Sequence, residues 1–160
     1  MAEKQEAAIQ GGNLMRRQHP INIRLIEYVV VRTENLERMV DFYCDVLGCR
    51  VERGPGELKL VQLRAGNSLI DLVDVAGPLG RDGGAAPDHD AHNMDHFCVQ
   101  VEPWDADAIV LHLKEYGVVA GEPVTRYGAL GNGPSLYIKD PEGNTIELKG
   151  SPVAGDTAGG

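Results

Sequence analysis

The feature that most constrains this chain is an apolar strand written twice. "LIEYVVV" (residues 25–31) and "NMDHFCVQV" (residues 93–101) each interrupt aliphatic residues with an acid and then a ring, Glu27–Tyr28 in the first and Asp95–His96 in the second. The segments after the two strands also repeat: an amphipathic helix, then strands separated by turn residues, in the same order in both halves. A unit of this size that occurs twice is a duplicated βαβββ module, since a solenoid needs many shorter repeats.

In the first half the strand Leu25–Arg32 leads into "TENLERMVDFYCDVLGC", where Leu36, Met39, Val40, Tyr43, Val46 and Leu47 share one helical face. Thr33 or Asn35 can cap the helix start, and Gly48 stands at its stop. A polar turn, "RGPGE", precedes the strands "LKLVQLR" and "SLIDLVDV". In the second half the strand Met94–Val101 leads into a helix with Asp105 as cap, Ile109, Leu113 and Tyr116 on its buried face and Gly117 at its stop. A Gly-rich loop comes next, then "PSLYIKD" and "TIELKG" joined by "DPEGN". There Asp140 can bond back to the backbone, Pro141 presets φ and Gly143 tolerates positive φ. The expected fold is α+β: two tandem βαβββ modules, residues 21–76 and 93–149, forming a curved, cleft-bearing mixed sheet within one domain over 21–149. Residues 1–20 are expected to be a flexible lead-in and 150–160 a flexible tail.

Aligning the halves pairs Tyr28 with His96 and Asp71 with Glu147. Strand alternation sends Phe97, Val99 and Val101 to one side, under the helices, and His96, Cys98 and Gln100 to the other. In the last strand Ile146 and Leu148 oppose Thr145, Glu147 and Lys149. Tyr28, Asp71, His96 and Glu147 thus share the face away from the helices and converge if the modules curl toward each other. Glu27 and Asp95 fall on the helix side, as structural polar residues at the strand starts.

Composition narrows the partners. The 160 residues are 42% hydrophobic, enough for a real core, and carry a net charge of -9, which argues against nucleic acid and anionic membrane surfaces. No apolar run approaches membrane-spanning length, and the first residues lack a signal-peptide core. Cys44, Cys49 and Cys98 are odd in number and lack CxxC spacing, which fits a reduced, cytoplasmic protein.

Other residues have plainer readings. His89 and His92 in "DHDAHN" belong to a solvated loop, His112 to a helix surface and His19 to the tail. Cys98 lines the pocket, with no basic group marking it as a nucleophile. "TRYGALGNGPSLY" (residues 125–137) is read as a substrate-binding lid: Arg126 offers a fork for a carboxylate or phosphate, and Tyr127 and Tyr137 offer flat walls.

The segments "YVVVRTENLERMVDFYCDVLGC", "LIDL", "DHFCVQV" and above all "DPEGNTIELKG" resemble the vicinal oxygen chelate superfamily: glyoxalase I, fosfomycin and bleomycin resistance proteins, and extradiol dioxygenases. The resemblance spans roughly residues 24–149. It implies a metal held by one residue from each of four strands, which map to Tyr28, Asp71, His96 and Glu147. Tyr28 stands where His or Gln is usual, and Asp71 where a longer Glu is usual. Asp71, His96 and Glu147 remain a ligand set for Zn²⁺, Ni²⁺, Mn²⁺ or Fe²⁺. The resemblance also implies a homodimer. The activity expected is that of a glyoxalase-like lyase or isomerase on a small oxygen-rich substrate, with Glu147 as ligand and general base and Tyr28 as hydrogen-bond donor. Two alternatives stand beside it: a metal-free binding or resistance protein, and an extradiol-type dioxygenase, which would need His92 to supply a second imidazole.

Overall fold

The computed structural model describes residues 25–88 and 94–152. The segment 1–20, most of the tail, His19, His89 and His92 lie outside the described residues. The first module runs β1 (Tyr28–Thr33), α1 (Leu36–Asp41) continued by a π-helical turn (Phe42–Val46), β2 (Arg50–Arg53), β3 (Leu60–Ala65), β4 (Ser68–Asp74) and α2 (Pro78–Asp82). The second runs β5 (His96–Gln100), α3 (Ala106–Glu115), β6 (Val124–Gly128), β7 (Gly131–Lys139) and β8 (Thr145–Lys149). The strands form two four-stranded mixed sheets, ordered β1-β4-β3-β2 and β5-β8-β7-β6. In each sheet the first strand pairs parallel with the last, and the remaining pairs are antiparallel. The registers repeat: Val30 lies opposite Asp71 as Cys98 lies opposite Glu147.

The helix ends obey local chemistry. Asn35 Oδ1 accepts from the Arg38 amide at 3.1 Å, and Asp105 Oδ1 from the Ala108 amide at 3.0 Å. Gly48 and Gly117 close the helices at φ +69° and +71°, where a Cβ is disfavoured. The α+β fold with two tandem modules is the one expected, each module carrying its own mixed sheet. Three expectations are corrected. Tyr116, expected in the core, is 51% exposed. His112, expected at the surface, is half-buried, and its Nε2 donates to the Val46 carbonyl at 2.8 Å, joining α3 to the first module. The Gly-rich loop 125–137 is largely the hairpin β6–β7, whose turn lies at Ala129–Leu130.

One core serves both modules. Met39, Tyr43, Leu63 and Leu72 from the first pack in a single cluster with Leu113, Leu136, Ile138 and Ile146 from the second. Burial of such side chains is the main driving force for folding. The turn between β7 and β8 locks the modules together. Glu142 Oε1 accepts from Thr33 Oγ1 at 2.6 Å and from the amides of Glu34 and Asn35 at 2.9 and 2.8 Å, so the second module satisfies donors at the start of α1 in the first. Glu142→Ala is expected to cost about 1–2 kcal/mol, typical for a lost helix-start acceptor and a charged hydrogen bond. Urea unfolding checks this, and an unchanged midpoint would remove the lock.

Candidate functional site

The shared core is built from the apolar faces of both sheets. Their polar faces therefore turn away from it and open as two separate cavities. The first, about 310 Å³, is lined by Tyr28, Val30, Asp71, Val73 and Leu79 among others. Asp71, 5% exposed, receives Gln62 Nε2 on its two oxygens at 3.2 and 3.0 Å from the strand directly opposite. Arg32, on the same face of β1 as Tyr28, donates to the carbonyls of Gly80, Gly84 and Ala85. It thereby pins α2 and the turn after it to the cavity rim.

The second cavity, about 400 Å³, is lined by His96, Cys98, Gln100, Glu147 and Lys149 and by the hairpin stretch around Tyr127 and Leu130. Glu147, 6% exposed, accepts from Ser135 Oγ at 2.6 Å on one oxygen, and its other oxygen lies 3.2 Å from His96 Nε2. His96 Nδ1 meets Asp95 Oδ2 at 2.5 Å, and Tyr137 stands edge-on to the imidazole with ring centroids 5.6 Å apart. Asp95 therefore does not turn to the helix side as expected. It lies before β5 begins, where strand alternation no longer dictates direction. Burial and the Glu147 charge push the Cys98 thiol up to about 11, which leaves it a lining group rather than a nucleophile. Gln100 Nε2 donates to Ser151 Oγ at 3.2 Å. Arg126 reaches over the Tyr137 ring, 5.9 Å from its centroid, and is exposed.

Within one chain the four aligned residues thus form two pairs, Tyr28 with Asp71 and His96 with Glu147. Among the described residues no three of His, Cys, Asp and Glu gather into a ligand cluster. The second pair still fits a divalent metal. Its nitrogen and oxygen are 3.2 Å apart, close to the roughly 3 Å between neighbouring ligands of an ion bound at about 2.1 Å. An imidazole held from behind by a carboxylate is also the usual arrangement for a histidine ligand.

Sequence reading missed Gln62 and Ser135, and it set Lys149 on the Glu147 face without giving it a role. A usable signal exists for each: they are polar positions alternating with buried apolar neighbours in β3, β7 and β8, on the same face as Asp71 or Glu147.

A paired βαβββ architecture with one cavity per sheet defines a class of ligand-binding folds, and comparison with known proteins specifies which. The model of the Glyoxalase/Bleomycin resistance protein/Dioxygenase superfamily matches residues 25–148, and the chain belongs to that superfamily. It is 29% identical over 134 residues to the glyoxalase domain-containing protein RDO1 of Mycosarcoma maydis, covering 83% of this chain and 72% of that one. It is 27% identical over 137 residues to the mitochondrial methylmalonyl-CoA epimerase of Homo sapiens, covering 80% and 74%. Among solved structures, lactoylglutathione lyase from Agrobacterium tumefaciens superposes with a TM-score of 0.58 at 23% identity, covering 82% of this chain and 96% of that one. Among the described residues no helix is long and apolar enough to cross a membrane.

Proposed function

We propose that the protein is a metal-dependent, glyoxalase-like lyase or isomerase whose site is completed by a second copy of the chain. The observation that carries this is the division of the aligned residues between two outward-facing cavities. Tyr28 and Asp71 of one protomer would meet His96 and Glu147 of its partner. The exposed apolar groups on both cavities support it: Tyr28, Val30 and Leu79 on one, Tyr127 and Leu130 on the other. In a two-fold dimer each pairing would occur twice. The three cysteines, all free, fit a reducing, cytoplasmic setting.

Asp71, His96 and Glu147 would hold the metal, which when bound supplies positive charge to two neighbouring substrate oxygens. The chain's own groups do the rest. Ser135 aims the Glu147 carboxylate into the cavity, where it can take a proton from carbon beside a substrate carbonyl and return it to a neighbouring carbon. The Tyr28 hydroxyl donates to a substrate oxygen. Tyr137 and Tyr127 flank the substrate, Cys98 and Gln100 line its floor, and Arg126 draws acids to the rim. Acid–base catalysis of this kind is typically worth about 10²–10⁴-fold in rate.

A metal-free binding or resistance protein is the second reading. It is favoured by Tyr28, because a neutral phenol is a poor ligand. An extradiol-type dioxygenase is a weaker third reading, because the four aligned positions hold one histidine.

Elemental analysis separates these readings. His96→Ala and Glu147→Ala are each expected to lower metal affinity by roughly 100-fold, whereas Tyr28→Phe changes it little. Wild-type protein that neither contains nor takes up Zn²⁺, Ni²⁺, Mn²⁺ or Fe²⁺ would leave the metal-free reading in its place.

A further inference from the structure

Lys149 lies two residues beyond Glu147 on β8, on the same face, and is only 8% exposed. Its Nζ donates to the carbonyls of Arg126 and Gly133, the latter at 3.2 Å, so two of its three donors are taken by neutral oxygens. Among the described residues no carboxylate forms an ion pair with it. A buried ammonium without a counter-charge is costly, and it occurs here in a chain of net charge -9. The fold is nonetheless shaped around it. A Cβ at Gly128 would come within 2.7 Å of the Lys149 Cε, so the β6–β7 hairpin lies directly against this side chain. Gln100 stands directly across the ladder.

We propose that Lys149 is the anchor for an anionic group, carboxylate or phosphonate, on the substrate. This rests on the reading of Glu147 as the reacting end of the same cavity. Two residues of strand place the anion roughly 7 Å from that end. The substrate class is then a small acid with its charged group at one end and its reacting oxygens at the other. Lys149 supplies the ionic contact from the cavity floor, and Arg126, exposed above Tyr137, serves only approach.

The test uses metal-stripped protein titrated calorimetrically with succinate, 3-phosphonopropionate and the neutral succinamide. One or both acids are expected to bind and succinamide is not, and the two acid arms show which anion the cavity takes. Lys149→Met is expected to weaken acid binding by about tenfold or more, as loss of a buried ionic contact does. Lys149→Arg should keep most of it. Equal binding of succinamide and succinate would overturn the proposal, as would unaltered acid binding by Lys149→Met; Lys149 would then be a brace for the hairpin. If circular dichroism shows Lys149→Met unfolded, the wild-type Lys149 Nζ resonance decides: it must move on adding acid, and a fixed resonance overturns the anchor. Metal uptake by the same wild-type protein keeps the two readings apart. Acid binding without metal uptake sinks only the lyase reading, and metal uptake with indifference to acids sinks only the anchor.

Discussion

Asp71→Ala protein and Glu147→Ala protein, each deficient in metal binding alone, are expected to recover binding when co-expressed. The reason is the placement of the two residues. Asp71 opens into one cavity and Glu147 into the other. If each complete site joins the first cavity of one protomer to the second cavity of its partner, a mixed dimer holds one site with both defects and one with neither. Random pairing makes about half of the dimers mixed, so about a quarter of all sites should be intact. Against the roughly 100-fold loss expected in each variant alone, that recovery is large. It is read as tight-binding metal per chain, which rises to about half of the sites once mixed dimers are isolated by co-purification on two different tags. No recovery in a verified mixed dimer would place the site within one chain. A monomeric mass by light scattering at micromolar concentration would remove the dimer altogether.

The second large effect concerns Asp140. Its carboxylate accepts from the amides of Glu142 and Asn144, from Asn144 Nδ2 at 2.7 Å and from Tyr43 Oη at 3.1 Å. Tyr43 is fully buried in the core, so Asp140 ties the β7–β8 turn of the second module to the helix of the first. Asp140→Ala leaves the Tyr43 hydroxyl buried without a partner and dissolves the turn. The expected cost is about 3–5 kcal/mol, equivalent to a fall in Tm of roughly 10 °C. A loss below about 1 kcal/mol would mean that the turn holds its shape without the carboxylate. Tyr43→Phe should cost less, about 1–2 kcal/mol, because Asp140 keeps its other donors.

Tyr43 also makes a prediction about pH. Burial, followed by the charge of Asp140, pushes its phenol well above the ordinary tyrosine range. The folded chain therefore keeps a proton that the unfolded chain loses near pH 10. The contribution is fully present below that pH and declines as pH rises above it, by up to about 1.4 kcal/mol per pH unit. Urea midpoints from pH 9 to 11 should show a shallower decline in Tyr43→Phe than in wild type.

Much of the fold was legible in the residues. The caps Asn35 and Asp105, the glycine stops Gly48 and Gly117 and the Asp140 turn are set by groups within four residues of one another, and they appear where local chemistry puts them. Strand alternation placed Asp71, His96 and Glu147 on the face away from the core. Strands β2 and β6 were not legible. β2 is an edge strand with all four residues exposed, so no apolar alternation marks it, and the glycines of the β6–β7 hairpin read as a loop.

The repeat and the outward face of each sheet were determined by the sequence alone, because they depend on periods of two and 3.6 residues along the chain. Only the tertiary structure decided where those faces point. Burying both apolar faces in one core removes more hydrocarbon from water than two small cores would. The same packing turns Tyr28 and Asp71 away from His96 and Glu147, brings Glu142 to the start of α1, and buries Lys149 against the carbonyls of Arg126 and Gly133. Those contacts join residues far apart in the chain, and no local period encodes them.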